Sequence, residues 1–207
     1  MRGRFVTFEG IEGSGKSTQV ARLAQWLLEG RACEPVVTRE PGGTPLGRRL
    51  RAVLLAGDAG EPLTEAMLMA ADRAEHVATV IRPALAEGRH VLCDRHADST
   101  LAYQGGGSGV ARELLVALNG VAVRGLFPDL TLLFDLEPAV ALERMRARTG
   151  GAADRFEAES LAFHERVRAA YLELARAEPA RFRVIDASKG ADAVHADARG
   201  HLERLLS

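Results

Sequence analysis

The chain has 207 residues, of which 47% are hydrophobic, and its formal net charge is −1. This length fits one domain with a full core, so we expect a single domain over residues 1–207. The near-zero charge offers no field to attract nucleic acid or an anionic membrane, and no apolar stretch approaches the roughly 18 residues that span a bilayer. The N-terminal residues also lack the apolar run of a signal peptide. We therefore expect a cytoplasmic protein that binds neither nucleic acid nor membranes.

Short apolar runs alternate along the chain with longer segments of helical periodicity. In chain order the predicted elements are a strand at 4–8, a helix at 18–29, a strand at 34–38, helices at 46–57 and 63–88, strands at 90–94 and 130–136, helices at 138–149 and 155–178, a strand at 181–186 and a helix at 191–206. Pro83 predicts a kink in the longest helix. This alternation favours βαβ units, and hence an α/β fold with a five-stranded parallel sheet flanked by helices.

A glycine-rich segment joins the first strand to the first helix. Residues 9–18 read EGIEGSGKST and fit the pattern GxxxxGKS, in the strand-to-helix context that this phosphate-binding loop requires. Glycines let backbone N–H groups converge on phosphate oxygens, and the helix N-terminus adds its positive dipole end. The sequence therefore predicts a bound nucleoside triphosphate. The predicted contacts are Gly10, Ile11, Glu12, Gly13, Ser14, Gly15, Lys16, Ser17 and Thr18, with Lys16 reaching the outer phosphates and Ser17 binding Mg²⁺.

A second group that helps to bind magnesium is expected, namely a carboxylate at the end of a buried strand. Asp94 and Asp135 both fit, because each follows such a strand. Asp94 is followed by Arg95, which would place a carboxylate and a guanidinium together where open α/β sheets bind ligands. For either aspartate a purely structural ion pair remains the alternative.

Loop arginines favour a small kinase over an ATPase that transfers phosphate to water. Arg39, Arg73 and Arg95 lie at separate places in the chain. A further group, Arg144, Arg146, Arg148 and Arg155, brackets the glycine-containing break TGGAAD. Such a break resembles a lid, at about residues 146–156, that closes over the triphosphate and excludes water. The alternative for this group is a solvated basic helix face.

Taken together, these motifs resemble the bacterial thymidylate kinase family. The matching segments are FEGIEGSGKST, TREPGGTPLG, AADRAEH, DRHADSTLAYQGGG, FPDLTLLFDLEP, DRFEAE and VIDAS, which run from Phe8 to Ser188. The resemblance implies a three-layer P-loop NTPase fold with a short Arg-rich lid. It also implies transfer of the γ-phosphoryl group of ATP to dTMP, with Mg²⁺ as cofactor, and a homodimer.

The resemblance also implies roles for individual residues. Arg39 and Arg95 would hold the dTMP phosphate, and Asp94 would help to place Mg²⁺ and the acceptor. On the thymine base, Arg73 would bind O4, and Gln104 would bind the N3 edge with Ser99 beside it. On the sugar, Tyr103 would pack against the deoxyribose, and Glu12 would approach the 3′-hydroxyl. Asp186, Ala187 and Ser188 would border the adenine of ATP. The predicted catalytic residues are Lys16, Asp94, Arg95, Arg148 and Arg155.

The chain departs from the family pattern at two positions. Gly13 stands where one branch has arginine, so the catalytic arginines should come from the lid, and Arg148 and Arg155 are the predicted ones. Met69 stands where many relatives have a phenylalanine that stacks on thymine. Methionine still packs on an aromatic base through its polarizable sulfur, although a neighbouring ring such as Phe8 or Phe163 could fill the same space.

Other functions remain open from the sequence. Another kinase of the same fold, such as a deoxynucleoside kinase, would use a carboxylate base, and Glu9 or Glu12 could supply it. A nucleotide-dependent switch ATPase would need a water-positioning residue. His96, beside the Asp94–Arg95 pair, is interpreted as structural. The apolar helix around residues 63–81 could form the dimer interface, or it could be buried within its own chain.

Overall fold

The computed structural model describes residues 2–31, 34–149, 156 and 159–207, and only the backbone of Arg31, Arg148 and Thr149. Its centre is one parallel sheet with the strand order β2-β3-β1-β4-β5. The strands are β1 Phe5–Glu9, β2 Val36–Arg39, β3 Val91–Asp94, β4 Leu130–Asp135 and β5 Phe182–Asp186. The five predicted strands are confirmed, each with ends within two residues of the prediction.

Helices cover both faces of this sheet. They are α1 Lys16–Arg31, α2 Pro45–Ala56, α3 Pro62–His76, α4 Arg82–Ala86, α5 Ala97–Thr100, α6 Arg112–Val123, α7 Pro138–Thr149, α8 Leu161–Ala177 and α9 Ala191–Leu206, with π-helical segments at Val77–Ile81 and Leu101–Gly107. A large apolar cluster packs α1, α8 and α9 on one side, and a smaller one packs the Val77–Ile81 segment and α4 on the other. The result is a three-layer α/β arrangement, as predicted.

The sheet has a topological switch point beside its central strand. The chain leaves β1 for β2 and β3 on one side, and later returns to β4 on the other. Phe8 of β1 and Arg39 of β2 are both in register with Asp94 of β3. Ligands in such sheets bind beyond the carboxyl ends of the strands at the switch point. Glu9, Arg39 and Asp94 therefore lead into one crevice.

Three details of the helices differ from the sequence prediction. Residues 97–123, for which no element was predicted, are largely helical. The predicted kink at Pro83 is instead a π-helical turn just before it, in which the N–H of Arg82 donates to the carbonyl of Val77. The helix predicted from residue 155 begins at Leu161, because the Ser160 side chain caps it by accepting from the N–H of Phe163. Across the described ranges, each helix is too short or too polar to cross a membrane.

Candidate active site

A cavity of about 350 Å³ opens at the switch point. Its wall contains most of the residues that the sequence singled out, namely Glu12, Gly13, Gly15, Lys16, Ser17, Thr18, Arg39, Met69, Asp94, Arg95, Ser99, Tyr103 and Gln104. It also contains Arg144, which was predicted as one of the lid arginines, and Glu40, Pro41, Arg51, Leu55, Met145 and Phe156, for which no role in the site was predicted. The volume lies in the range of sites for small molecules.

The phosphate-binding loop forms one end of the cavity. Glycines adopt left-handed backbone angles in it, as at Gly10 with φ 135° and Gly13 with φ 74°, which a side chain would strain. The Lys16 ammonium donates to the carbonyl oxygens of Gly10 and Ile11 at 2.8 and 2.7 Å. Burial first, and then the charge of Arg95, lower the Lys16 pKa to about 8. The ammonium is thus bonded to the loop itself, while the lysine lines the cavity into which a phosphate would bind.

Gly13 lies against the helix that leads to the predicted lid. A Cβ atom at Gly13 would come within 2.4 Å of the Ala141 carbonyl oxygen in α7. Any side chain here would push α7 away from the loop. The arginine that one branch of the family carries at this position therefore does not fit the arrangement seen here.

The two carboxylate candidates for a magnesium site differ in their partners. The Ser17 hydroxyl donates to Asp94 Oδ2 at 2.7 Å, and both residues line the cavity. Asp135 instead accepts two hydrogen bonds from Arg168 of α8, at 2.7 and 3.1 Å. A hydroxyl and a carboxylate side by side are hard oxygen donors of the kind that Mg²⁺ prefers. Ser17 and Asp94 therefore fit the ion, whereas Asp135 forms the structural pair that the sequence left open.

Arg95 joins the strand ends to the cavity. It is a non-glycine residue with a left-handed backbone, at φ 69°. Its guanidinium donates to Glu12 Oε1 at 2.6 Å and to the Tyr103 hydroxyl at 2.9 Å, while that hydroxyl donates to Glu12 Oε2 at 2.5 Å. Burial disfavours the Glu12 carboxylate, but the charges of Arg95 and Lys16 hold its pKa below the ordinary value. The Arg95 guanidinium is therefore already paired with an anion of the protein itself, the Glu12 carboxylate.

The far end of the cavity is mostly apolar. Pro41, Leu55 and Met69 line it, and Gln104 supplies an amide. Gln104 Nε2 donates to Glu65 Oε2 at 3.3 Å, whereas the buried Oε1 finds no partner among the described residues. The Gln104 side chain lines the cavity, and an unpartnered buried carbonyl is suited to accept an N–H from a ligand. This end can therefore hold a flat, largely apolar group that carries an N–H donor.

The two rings that the sequence left open as an alternative to Met69 do not line the cavity. Phe8 is fully buried and stacks on Phe134 at 6.0 Å, and Phe163 is buried in the main core. Phe156 lines the cavity instead and packs edge-on against Tyr103, with ring centroids 6.0 Å apart. Its place in the segment DRFEAE was the available signal, because that segment borders the predicted lid.

Arg73 lies behind the cavity wall. Its side chain is fully buried, and it donates to Glu40 at 2.8 Å, to Asn119 at 2.7 Å, and to Thr100 and the His96 carbonyl at 3.1 and 3.0 Å. Burial disfavours the Glu40 carboxylate, but the charges of His96 and Arg73 hold its pKa well below the ordinary value. Contact between Arg73 and a base, as the resemblance implies, stays a prediction.

Some predicted contacts lie outside the cavity wall. Gly10, Ile11 and Ser14 are in the loop behind it, Asp186 is the last residue of β5, and Ala187 and Ser188 follow that strand. Arg144 connects this last segment to the cavity, because it lines the wall and donates to the Ala187 carbonyl at 3.0 Å. The predicted lid arginine Arg155 and the side chain of Arg148 lie outside the described residues.

Comparison with known proteins agrees with this geometry. Residues 8–198 match the family model described as thymidylate kinase. The chain is similar to thymidylate kinases of Oleidesulfovibrio alaskensis, with 55% identity over 94% of this chain and 95% of the relative, and of Solidesulfovibrio magneticus, with 54% identity over 98% and 100%. The protein of the same name from Pelotomaculum thermopropionicum is 51% identical over 100% of this chain and 95% of its own length. The chain therefore belongs to the thymidylate kinase family.

Proposed function

We propose that this protein transfers the γ-phosphoryl group of ATP to dTMP, giving dTDP and ADP for dTTP synthesis. The observation that carries the proposal is a single cavity in which a phosphate-binding loop faces two further arginines, Arg39 and Arg95. One end suits a triphosphate and the other suits a second phosphate attached to a flat base. The relatives above are named thymidylate kinase, which supports dTMP as the acceptor.

At the donor end, backbone N–H groups of Gly13 and Gly15 and the N-terminus of α1 would hold the phosphates of ATP. Lys16 would exchange the loop carbonyls for phosphate oxygens. Ser17 and Asp94 would hold Mg²⁺, which when bound neutralises charge on the transferred group. Arg144, bonded to Ala187, would link the triphosphate to the segment 186–188 that we propose borders adenine.

At the acceptor end, Arg39 and Arg95 would bind the dTMP phosphate, and Glu12 would give up Arg95 and turn to the 3′-hydroxyl. Tyr103 would close against the deoxyribose, beside Ser99. Gln104 Oε1 would accept from the thymine N3–H, which would give this buried oxygen the partner that it lacks among the described residues.

This arrangement requires neither a covalent intermediate nor a strong base. The acceptor is a phosphate monoester with a second pKa of about 6, so it is already ionised near neutral pH. Catalysis then depends on positioning two anionic groups in line, and on cations that offset their repulsion. Arg39, Arg95, Lys16 and Mg²⁺ would supply that charge. Arg148 and Arg155, on a lid at about residues 146–156, would complete it on closure.

We also propose that the protein is a homodimer. Met67 on α3 is 50% exposed, and Val116 and Val121 on the neighbouring α6 are 50% and 78% exposed. Large apolar side chains on two packed helices are more typical of an interface between two copies of the chain than of a solvent-exposed surface. Sedimentation equilibrium should give the mass of two chains, and a monomer at micromolar concentration would contradict this assignment.

Turnover with a panel of acceptors tests the proposed activity. With ATP and Mg²⁺, a coupled assay for ADP should give much faster turnover with dTMP than with AMP, GMP, shikimate or thymidine. Preferential turnover of thymidine would support the deoxynucleoside kinase alternative, and ATP hydrolysis without any acceptor would support a switch ATPase. Either result would overturn the proposal.

A further inference from the structure

Glu9 holds the backbone turn on which Arg95 stands. The left-handed backbone of Arg95 is rarely adopted by a residue with a side chain, and it persists only when its surroundings hold it. The N–H of Arg95 donates to the Phe8 carbonyl at 3.0 Å, and the next N–H, that of His96, donates to Glu9 Oε1 at 2.8 Å. The last residue of β1 thus clamps the turn after β3.

The other carboxylate oxygen of Glu9 holds the Arg95 side chain through two hydroxyls. Ser99 and Tyr171 donate to Glu9 Oε2 at 2.6 and 2.8 Å. Arg95 Nη1 donates to these same hydroxyls, at 3.2 Å to Ser99 and 3.1 Å to Tyr171. A hydroxyl has one hydrogen, so donation to Glu9 leaves its lone pairs free for the guanidinium. Nη1 also donates to the Gly10 carbonyl at 2.9 Å, and the Ser99 and Tyr171 oxygens lie 2.7 Å apart, so the contacts of this network share their hydrogens.

Glu9 and Tyr171 support Arg95 from the side that faces away from the cavity. Glu9 is fully buried and Tyr171 is 1% exposed, and neither lines the cavity. The opposite nitrogen, Nη2, faces Glu12 and Tyr103, which do line it. A phosphate that replaced Glu12 would thus leave the bonds to Ser99 and Tyr171 intact.

We propose that Glu9 and Tyr171 are positioning residues that fix the Arg95 guanidinium for the phosphate of the acceptor nucleotide. This inference rests on the proposed function, in which Arg95 binds that phosphate. Tyr171 is the sharper probe, because its hydroxyl can be removed with almost no change in volume. Without the Tyr171 hydroxyl, the Arg95 guanidinium keeps its charge but rotates more freely. This should weaken binding of the acceptor phosphate and leave binding of ATP unchanged.

The surroundings of Glu9 make its ionisation part of this support. Asp98 and Lys16 face it as well as Arg95. Burial first, and then the charge of Asp98, raise the Glu9 pKa to about 7 against the opposing charge of Arg95. Ionised Glu9 accepts from both hydroxyls, whereas protonated Glu9 would donate to one of them and would free a hydroxyl hydrogen to join Ser99 and Tyr171, whose oxygens lie 2.7 Å apart. The ionisation of Glu9 therefore changes the pattern of donors around Arg95.

Steady-state kinetics of Tyr171→Phe, followed by a double-mutant cycle with Arg95→Lys, tests the inference. We expect the KM for dTMP to rise about tenfold, as for a lost hydrogen bond to a charged group, with the KM for ATP within twofold of wild type. In the Arg95→Lys background the same change should raise the KM less than threefold, because its effect passes through the guanidinium. Thr7→Val is the matched control, because it removes a buried hydroxyl that, among the described residues, bonds only to Thr131, and it should leave both KM values unchanged.

The outcomes separate this inference from the proposed function. If the wild-type protein does not phosphorylate dTMP, the proposed function fails. If it does, an unchanged KM for dTMP in Tyr171→Phe overturns the positioning role alone. Equal increases in both KM values, or the same fold-change in the Arg95→Lys background, would also overturn it, because they indicate a general loss of structure.

Discussion

The buried position of Arg73 makes its removal a strong test of the structure. Arg73→Met keeps an unbranched side chain of similar length but deletes four hydrogen bonds, to Glu40, Asn119, Thr100 and the His96 carbonyl. The Glu40 side chain is only 1% exposed, so after the change Oε2 has lost its arginine and cannot be solvated, while Oε1 keeps its bonds to His76 and His96. Removing one partner of such a buried pair costs about 3–5 kcal/mol of unfolding free energy. For a domain of this size each kcal/mol lowers Tm by about 2–4 °C.

Thermal unfolding followed by circular dichroism should therefore show a Tm about 10 °C lower for Arg73→Met. The matched control is Arg39→Met, because Arg39 is exposed and exposed substitutions change stability by about 0.5 kcal/mol or less. Its Tm should stay within about 2 °C of wild type, while its KM for dTMP rises. A Tm of Arg73→Met within about 3 °C of wild type would refute the view that Arg73 holds Glu40 and the elements around it in place.

Three further predictions concern the metal, the base and pH. Asp94→Asn should raise the Mg²⁺ concentration for half-maximal activity at least tenfold, whereas Asp135→Asn should not change it, and equal effects in a magnesium titration would contradict the assignment. Met69→Phe should lower the KM for dTMP about threefold through ring stacking, and an unchanged or higher KM would show that stacking on this side chain is not limiting. Burial raises the Glu9 pKa from 4.5 to about 7, so its contribution to stability is present below pH 4.5 and is lost as pH rises toward 7. The free energy of unfolding, measured with urea between pH 5 and 7, should then fall less steeply with pH in Glu9→Gln than in the wild type, by up to about 1.4 kcal/mol per pH unit. Parallel curves for the two proteins would disprove this titration.

Features set by local chemistry could be predicted from the sequence. Short apolar runs identified the five described strands, and GxxxxGKS identified the phosphate-binding loop, because its glycines need left-handed angles whatever surrounds them. The choice between Asp94 and Asp135 was not local. It depended on Arg168, which lies far along the chain in α8 and pairs with Asp135.

The helical character of residues 97–123 was hidden by its glycines. Consecutive glycines at 105–107 are typical of a loop, yet here they let a helix approach α8. A Cβ atom at Gly106 would come within 2.5 Å of Ala170 Cβ, and one at Gly107 within 2.5 Å of a Phe163 ring atom. Residue composition alone cannot distinguish a glycine needed for a turn from one needed for close packing. Contacts between segments distant in the sequence determine that residues 97–123 are helical, and such contacts also determine the burial of Arg73.

The ion pair between Glu12 and Arg95 has a consequence for which molecules the site admits. An arriving anion gains only the difference between its own attraction to Arg95 and that of the carboxylate already there. Chloride and carboxylates carry one charge and gain little from the exchange, whereas a phosphate monoester carries about two near neutral pH. A nucleoside without a phosphate cannot compete at all. The site would therefore select small molecules by their charge before it makes any contact with the base.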